Sequence, residues 1–296
     1  MKVLVFGASG FIGRHLVKKL LENNHQVTGV SKNKNDEKIN SPKYSHILLD
    51  ITKKEEFEKL DKDFDCVFNV SAYIPFGSSS SEEKSCFMVN CVGLSNILRF
   101  VLNAKFPLFV HSSSASVYGH PKIIPVEEND ELLPDNVYGI SKLAGEQLCS
   151  MYARLYKLNI VVLRYPSVYG KCCKQNTVLP IFVKKALSNE NIVIDGKGLR
   201  SQDFVYVEDI VLANLLAAQK KKTGVFNIGS NKTTTMVKLA LEIVKITGSR
   251  SKIIFNKSVK ESDFHMLLDI SRAKRELDYK SHFDLESGLK EYLKSL

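Results

Sequence analysis

Residues 7–13 read "GASGFIG" and directly follow the short apolar run "KVLVF". Such a run, ending in glycine, has the pattern of a strand buried in a parallel sheet. The next stretch, "IGRHLVKKLLENN", places Leu16, Leu20 and Leu21 on one face of a helix. Gly7, Gly10 and Gly13 therefore sit where a strand turns into a helix. The tight turn needs backbone freedom at Gly7. Gly10 lets the main chain approach a pyrophosphate on the helix N-terminus, and Gly13 lets helix pack closely on strand. Bare glycine spacing also fits a turn that holds nothing. The strand before it and the helix after it, at the head of an alternating pattern, point to a dinucleotide.

The alternation continues. "HQVTGV" and "HILLDIT" read as strands, "KKEEFEKL" as a helix, and "CVFNVSA" as a fourth strand. "EKSCFMVNCVGLSNILRFVLNA" and "SKLAGEQLCSMYARLYK" read as long helices, "LFVHSSSASVYG" as a strand opening into a serine-rich loop, and "NIVVLRYPSVYG" as a strand. Strands alternating with helices imply α/β architecture, a doubly wound parallel (Rossmann) sheet with right-handed crossovers. Beyond about residue 170 the rhythm breaks. "KCCKQNTVLPIFVKKALSN" reads as a helix interrupted by proline and "IDGKGLRSQDFVYV" as a hairpin or extended excursion. "EDIVLANLLAAQ" reads as a helix, "TTTMVKLALEIVKITG" as a helix opened by a threonine cap. The expected organisation is a dinucleotide-binding domain over 1–170, with returning segments near 203–230, and a smaller α/β substrate lobe mainly over 171–296. A cleft between two lobes is a common place for a ligand.

Composition narrows the function. The 296 residues are 44% hydrophobic and 25% charged, as in a globular protein. The first ten residues do not read as a signal peptide, and no uninterrupted apolar stretch suggests a bilayer span. The six cysteines show no zinc spacing, and the adjacent Cys172 and Cys173 are poorly placed to bond to each other, so reduced thiols and a cytoplasmic location are expected. The net charge of +10 comes from lysines scattered among acids. That is a basic solvated surface attractive to anionic ligands rather than a nucleic-acid groove.

The end of the second strand bears on the cofactor. An acid there would bind the ribose hydroxyls of NAD. The slot holds Ser31, then Lys32 and, two on, Lys34, so nothing repels a 2′-phosphate, and NADP is mildly favoured within an overall NAD(P) expectation. Solvated lysines are the plain alternative. Asp50 closes the third strand, as an adenine partner or as the cap of the next helix.

Tyr138 and Lys142 lie four apart in "VYGISK", on one face of a helix. A phenol of pKa ~10 is a weak base at neutral pH, and lowering it about three units takes ~4 kcal/mol of preferential stabilisation by a nearby ammonium. Ser112, Ser113 and Ser114 end an apolar strand at the sheet edge where ligands of such folds bind. Phenol, ammonium, hydroxyl and nicotinamide in one crevice can pass a proton and a hydride between carbinol and ketone. The pair alone would be an ordinary first helical turn.

With these motifs in hand, the chain resembles the extended short-chain dehydrogenase/reductases, and within them the NAD-dependent epimerase/dehydratase family typified by UDP-glucose 4-epimerase. "GASGFIG" matches the family's GxxGxxG, and "VNCVGLSNIL" matches its "VNVxGTxNLL" helix with Asn90 and Gly93 retained. "SSSASVYG", "YGISK", "DFVYVEDI" and "DISRAKREL…LESGLKEYL" match its further signatures. The resemblance implies that Tyr138 is the acid/base, that Lys142 holds the ribose and lowers the Tyr138 pKa, and that Ser114 binds substrate. It implies cofactor contacts from Ser113, Tyr165 and Asn90, and from Phe11, Ile12, Ile51 and Ala72. Tyr165, Ser167 and Val178 would face substrate. The family's 4,6-dehydratases carry Thr-Asp-Glu where this chain has "SAS", which argues against water elimination. Where the family has arginines for the nucleotide diphosphate, the slots here hold Gln202 and Lys260, with Arg200 as a substitute. The asparagine of "RxxNVYG" is Ser167, and "HxAA" is "NVSA".

Three functions follow as expectations: a nucleotide-sugar epimerase with transient hydride transfer, an NADPH-dependent carbonyl reductase, and a non-catalytic cofactor sensor. No metal, nucleic-acid or membrane partner is expected. The resemblance also implies a homodimer through the helices at roughly 82–104 and 138–157.

Overall fold

A computed structural model describes residues 1–33, 39–75, 77, 79–104, 106–173 and 177–296. Strand β1 (Lys2–Phe6) leads through the glycine turn into α1 (Phe11–Glu22), and β2 (Gln26–Ser31) and β3 (Tyr44–Leu48) follow on one side. The chain then crosses to the other side of β1 with β4 (Cys66–Asn69), β5 (Phe109–Ser114) and β6 (Ile160–Tyr165). These strands and β10 (Gly224–Asn227) form one seven-stranded sheet, in the order β10-β6-β5-β4-β1-β2-β3. All its pairings are parallel. The order reverses between β1 and β4, so their C-terminal ends diverge and leave a crevice.

Side chains alternate along the strands and divide the core. Val3 and Val5 pack with Leu16 and Val17 of α1 and with Ile210 and Ala213 of α6 (Val207–Lys220) on one face. Leu4 and Phe6 pack on the other, against Leu94, Ile97 and Leu98 of α3 (Leu94–Ala104) and against Cys149 and Tyr152 of α4 (Val137–Tyr156). Each fully buried Leu or Val contributes about 1.5–3 kcal/mol.

The long helix expected before β5 has three parts: α2 (Ser80–Phe87), a π-helical turn over Met88–Gly93, and α3. By length and hydropathy the whole stretch Ser80–Ala104 is long and apolar enough to cross a membrane, contrary to the sequence expectation. In the fold its Leu94–Val101 face lies in the core. "KKEEFEKL" forms only a 3₁₀ helix, Lys54–Lys59.

The smaller lobe departs most from the expectations. "NIVVLRYPSVYG" breaks at Pro166 into β6 and a separate strand β7 (Ser167–Tyr169). Of the two readings of "IDGKGLRSQDFVYV", a hairpin or an extended excursion, the hairpin does not form. β8 (Ile192–Asp195) pairs with β12 (Ile253–Asn256), whereas β9 (Ser201–Tyr206) pairs with β7 and with β11 (Thr233–Thr235). Gly196 (φ +68°) and Gly198 (φ +73°) turn the chain between them. Pro180 does not interrupt α5 (Val178–Leu187), because it sits in the first turn, where no intrahelical donor is lost. Helix α7 (Met236–Thr247) opens on Thr235, which accepts the Lys238 N–H at 3.3 Å. Helices α8 (Ser271–Leu277) and α9 (Leu285–Lys294) close the chain.

Candidate active site

The glycine turn is fixed by sterics. Gly7 has φ +85°, and a Cβ there would meet Ser71 N at 2.7 Å. A Cβ on Gly13 would lie 2.0 Å from the Gly7 carbonyl oxygen, so α1 can approach the strand end only with glycine at that position. Gly10 caps α1 without a side-chain hydrogen bond, and the first turn carries no acid. The positive end of the helix dipole therefore faces the crevice, a setting suited to a pyrophosphate.

From this turn a cavity of about 310 Å³ runs along the sheet edge. Gly7, Gly10, Phe11, Ile12, Ser31 and Lys32 line one end, Asp50, Ile51 and Ala72 the middle, and Ser113, Tyr138, Lys142 and Tyr165 the other end. A second cavity of about 460 Å³ abuts it, lined by Ser114, Ser116, Ser167, Thr177, Val178, Arg200 and Gln202. The two share Phe11, Ile12, Ile74, Ser113, Tyr138 and Tyr165. Tyr138 thus stands at the seam.

Helix α4 delivers the pair. Asn136 Oδ1 accepts the Gly139 N–H (2.9 Å) and fixes its first turn. Lys142 Nζ lies 5.8 Å from the centre of the Tyr138 ring and donates to the Ser112 carbonyl at 2.8 Å. Burial lowers the Lys142 pKa to about 8. Burial also pushes the Tyr138 phenol well above its usual value, while a hydrogen bond with Ser114 pulls the other way. The expected lowering of the phenol by Lys142 is therefore absent in the protein alone. The ammonium is tied to a backbone carbonyl, and desolvation of the phenol dominates.

Several expected roles are redistributed. Ser114 accepts the Ser116 N–H (3.1 Å) and lines the second cavity but not the first. Ser113 donates its hydroxyl to the buried Glu146 (2.5 Å), away from the crevice. Tyr165 presents its ring, because its hydroxyl accepts from Ser112 Oγ (3.2 Å) and Asn214 Nδ2 (2.8 Å). Asn90 lies behind the cavity wall. Its amide engages the N–H and carbonyl of Tyr73 (2.8 and 3.0 Å) and the Ser141 hydroxyl (2.9 Å), so it shapes the pocket rather than lining it. Lys260 is exposed and outside the cleft; its neighbour Glu261 accepts the Arg200 N–H (2.8 Å). Arg200 keeps a buried Nε without a partner in the cleft wall.

At the end of the cavity lined by Ser31 and Lys32, Lys32 pairs with Asp50 at 2.9 Å. Burial works to raise the Asp50 pKa, but Lys32 and Thr52 outweigh it and bring it down to about 2. The Ser31 hydroxyl donates to the Asn33 carbonyl (2.7 Å) and bonds His46 Nε2 (2.7 Å). Lys34 lies outside the described residues.

Sequence reasoning missed Asn69, which holds the Ser71 N–H (3.1 Å) and bonds His111 Nδ1 (3.2 Å) beneath the crevice. It also missed Glu146 and Arg164. Only the spacing of Glu146, one turn after Lys142, could have drawn attention to it.

A parallel sheet with a glycine turn at its switch point and a Tyr–Lys pair beside it defines the class of the short-chain dehydrogenases/reductases. The chain belongs to the NAD dependent epimerase/dehydratase family, whose model matches residues 3–229. It is 36% identical to a Methanocaldococcus jannaschii protein provisionally named a UDP-glucose 4-epimerase, over 97% of this chain and 96% of that one. Among solved structures it is similar to the UDP-glucose 4-epimerase of Thermotoga maritima, crystallised with UDP-glucose (31% identity, TM-score 0.90, 100% of this chain and 98% of that one). It is also similar to the Bacillus cereus UDP-glucuronic acid 4-epimerase, in a mutant form in complex with UDP-4-deoxy-4-fluoro-glucuronic acid and NAD (28%, TM-score 0.89, 100% and 98%). The protein is thus an enzyme of the extended type within this class.

Proposed function

We propose that the protein is a UDP-sugar 4-epimerase. The observation that carries this reading is the position of Tyr138, whose phenol stands where the two cavities meet. The glycine turn and the uncapped, acid-free start of α1 fit a dinucleotide pyrophosphate, and Lys142 and Tyr165 flank the far end of that cavity. Bound NAD supplies a reversible hydride acceptor for the carbon that bears the reacting hydroxyl. Tyr138 takes the proton of that hydroxyl and later returns it. Ser114 holds the same oxygen, and its hydrogen bond to the phenol works against burial to ease the ionisation of Tyr138. Among the described residues, the substrate cavity has no carboxylate, which supports proton shuttling without elimination of water. Arg200, with its unpartnered Nε, is positioned for an anionic nucleotide.

NAD is the proposed cofactor. Lys32 is already ion-paired with Asp50, and the Ser31 hydroxyl is engaged by His46 and Asn33, which weighs against a 2′-phosphate there. A homodimer is part of the same reading. Phe87, Met88 and Val92, and Ile140, Leu155 and Tyr156 on the neighbouring α4, are exposed apolar side chains that a second copy would cover. The free thiols are consistent with a cytoplasmic setting.

The test is NMR of UDP-glucose and a panel of other UDP-sugars with the freshly purified protein, with mass spectrometry of the dinucleotide it releases. The expected result is a mixture of C4 epimers with no net consumption of reduced cofactor, and released NAD. Stoichiometric oxidation of NADPH would overturn the reading in favour of a reductase.

A further inference from the structure

Beneath the catalytic pair, outside both cavities, lies a buried charge cluster. Glu146 follows Lys142 by one turn of α4 and is 5% exposed. Its Oε1 accepts from Ser113 Oγ (2.5 Å) and Arg164 Nε (3.0 Å), and its Oε2 accepts from Arg164 Nη2 (2.7 Å). Arg164, itself buried, donates Nη1 to Tyr118 Oη (2.7 Å) and to the Glu128 carbonyl (2.9 Å). Ser113 and Arg164 face each other in register on β5 and β6. One carboxylate on the helix therefore grips two adjacent strands. The residues that follow on those strands, Ser114 and Tyr165, line the substrate cavity.

We infer that Glu146 is a positioning residue for the proposed reaction: through Ser113 and Arg164 it clasps α4 to the ends of β5 and β6, and it places its carboxylate one helical turn from the Lys142 ammonium. This inference rests on the reading of Tyr138 and Lys142 given under Proposed function. The groups facing Lys142 are few. Cys86 and Cys91 face it from the preceding helix, Tyr138, Glu146 and Cys149 from its own helix, and His111 from β5. Burial pushes the Cys91 and Cys149 thiols up and, with Lys142, pushes His111 well down, so these groups stay neutral. Against burial, Cys86 and then Glu146, itself ion-paired with Arg164 at 2.7 Å, favour the Lys142 ammonium, and a buried cation deprived of such a neighbour loses its proton more readily.

The test needs no substrate. Protein labelled with ¹³C-lysine is titrated by NMR, with Lys142 assigned through Lys142→Met. In Glu146→Gln the Lys142 midpoint is expected to fall by about one unit, and in Arg164→Met to rise. Ser113→Ala, which removes a hydroxyl but no charge, is expected to leave it in place. The alkaline edge of turnover should move with the midpoint. A folded Glu146→Gln variant whose Lys142 midpoint does not move overturns the inference. Should that variant fail to fold, an unmoved midpoint in Arg164→Met overturns it equally. Midpoints shifted as expected in a wild-type protein that turns over no UDP-sugar would instead count against the epimerase reading alone.

Discussion

Tyr138 and Lys142 work against the cost of their own burial. The phenol is harder to ionise and the ammonium easier to deprotonate than in water. Tyr138→Phe removes the transferable proton and little else, so turnover should fall by about 10²–10⁴-fold while the released NAD in mass spectra stays the same. The pH dependence follows from Lys142. Its native pKa is lowered from the usual 10.5 to about 8, so activity that needs the ammonium should decline as pH rises through about 8. The stability effect has the opposite sign. Between about 8 and 10.5 the unfolded chain holds a proton that the native state has released, so the Lys142 contribution to stability rises with pH across that window. Urea unfolding at both ends of the window, compared with Lys142→Met, should show a gain in the wild type that the variant lacks. The Tyr–Lys pair was legible because both members lie within one helical turn. The hydrogen bonds of Ser113, Tyr165 and Asn90 were not, since their partners Glu146, Asn214 and Tyr73 lie 33, 49 and 17 positions away.

At the scale of elements, the first half of the chain could be read because each strand and helix declares its own period. "KVLVF" and the helix after it needed no knowledge of their neighbours. The second half could not be read this way. β7, β8 and β9 are short strands whose partners come from distant segments, so "IDGKGLRSQDFVYV" left a hairpin and an extended excursion both open, while its halves join different sheets. The π-helical turn over Met88–Gly93 was invisible for a related reason. It adds a local bulge without interrupting the apolar period on either side, and it lets Asn90 reach Tyr73 while Leu94–Val101 stay in the core. The two helices next to each other also make a specific prediction. Phe87, Val92 and Leu155 are 41%, 41% and 59% exposed. If a second copy covers them, Val92→Glu with Leu155→Glu should convert a dimer to a folded monomer in sedimentation velocity. A wild-type monomer at all concentrations would remove the basis for that interface.

At the scale of the whole molecule, the net charge of +10 suits an anionic substrate and cofactor, and the cleft is where the fold brings that charge to use in Arg200 and Lys142. A doubly wound parallel sheet was legible from the alternation of strands and helices, but its strand order was not. A return of the chain to this domain near 203–230 was expected, but the pairing of β10 with β6 was not, because a four-residue strand carries too little pattern to reveal its partner. The break at Pro166 has a consequence for how such a protein diversifies. Every residue lining the dinucleotide cavity comes before that proline, while the substrate wall continues past it through Thr177, Val178, Arg200 and Gln202. The ribosome has therefore delivered the residues that line the dinucleotide cavity before the specificity-bearing stretch emerges, though β10 and α6 still have to complete the sheet around them. Mutation or recombination downstream of the break could retarget the enzyme to another sugar and leave the hydride-handling machinery intact.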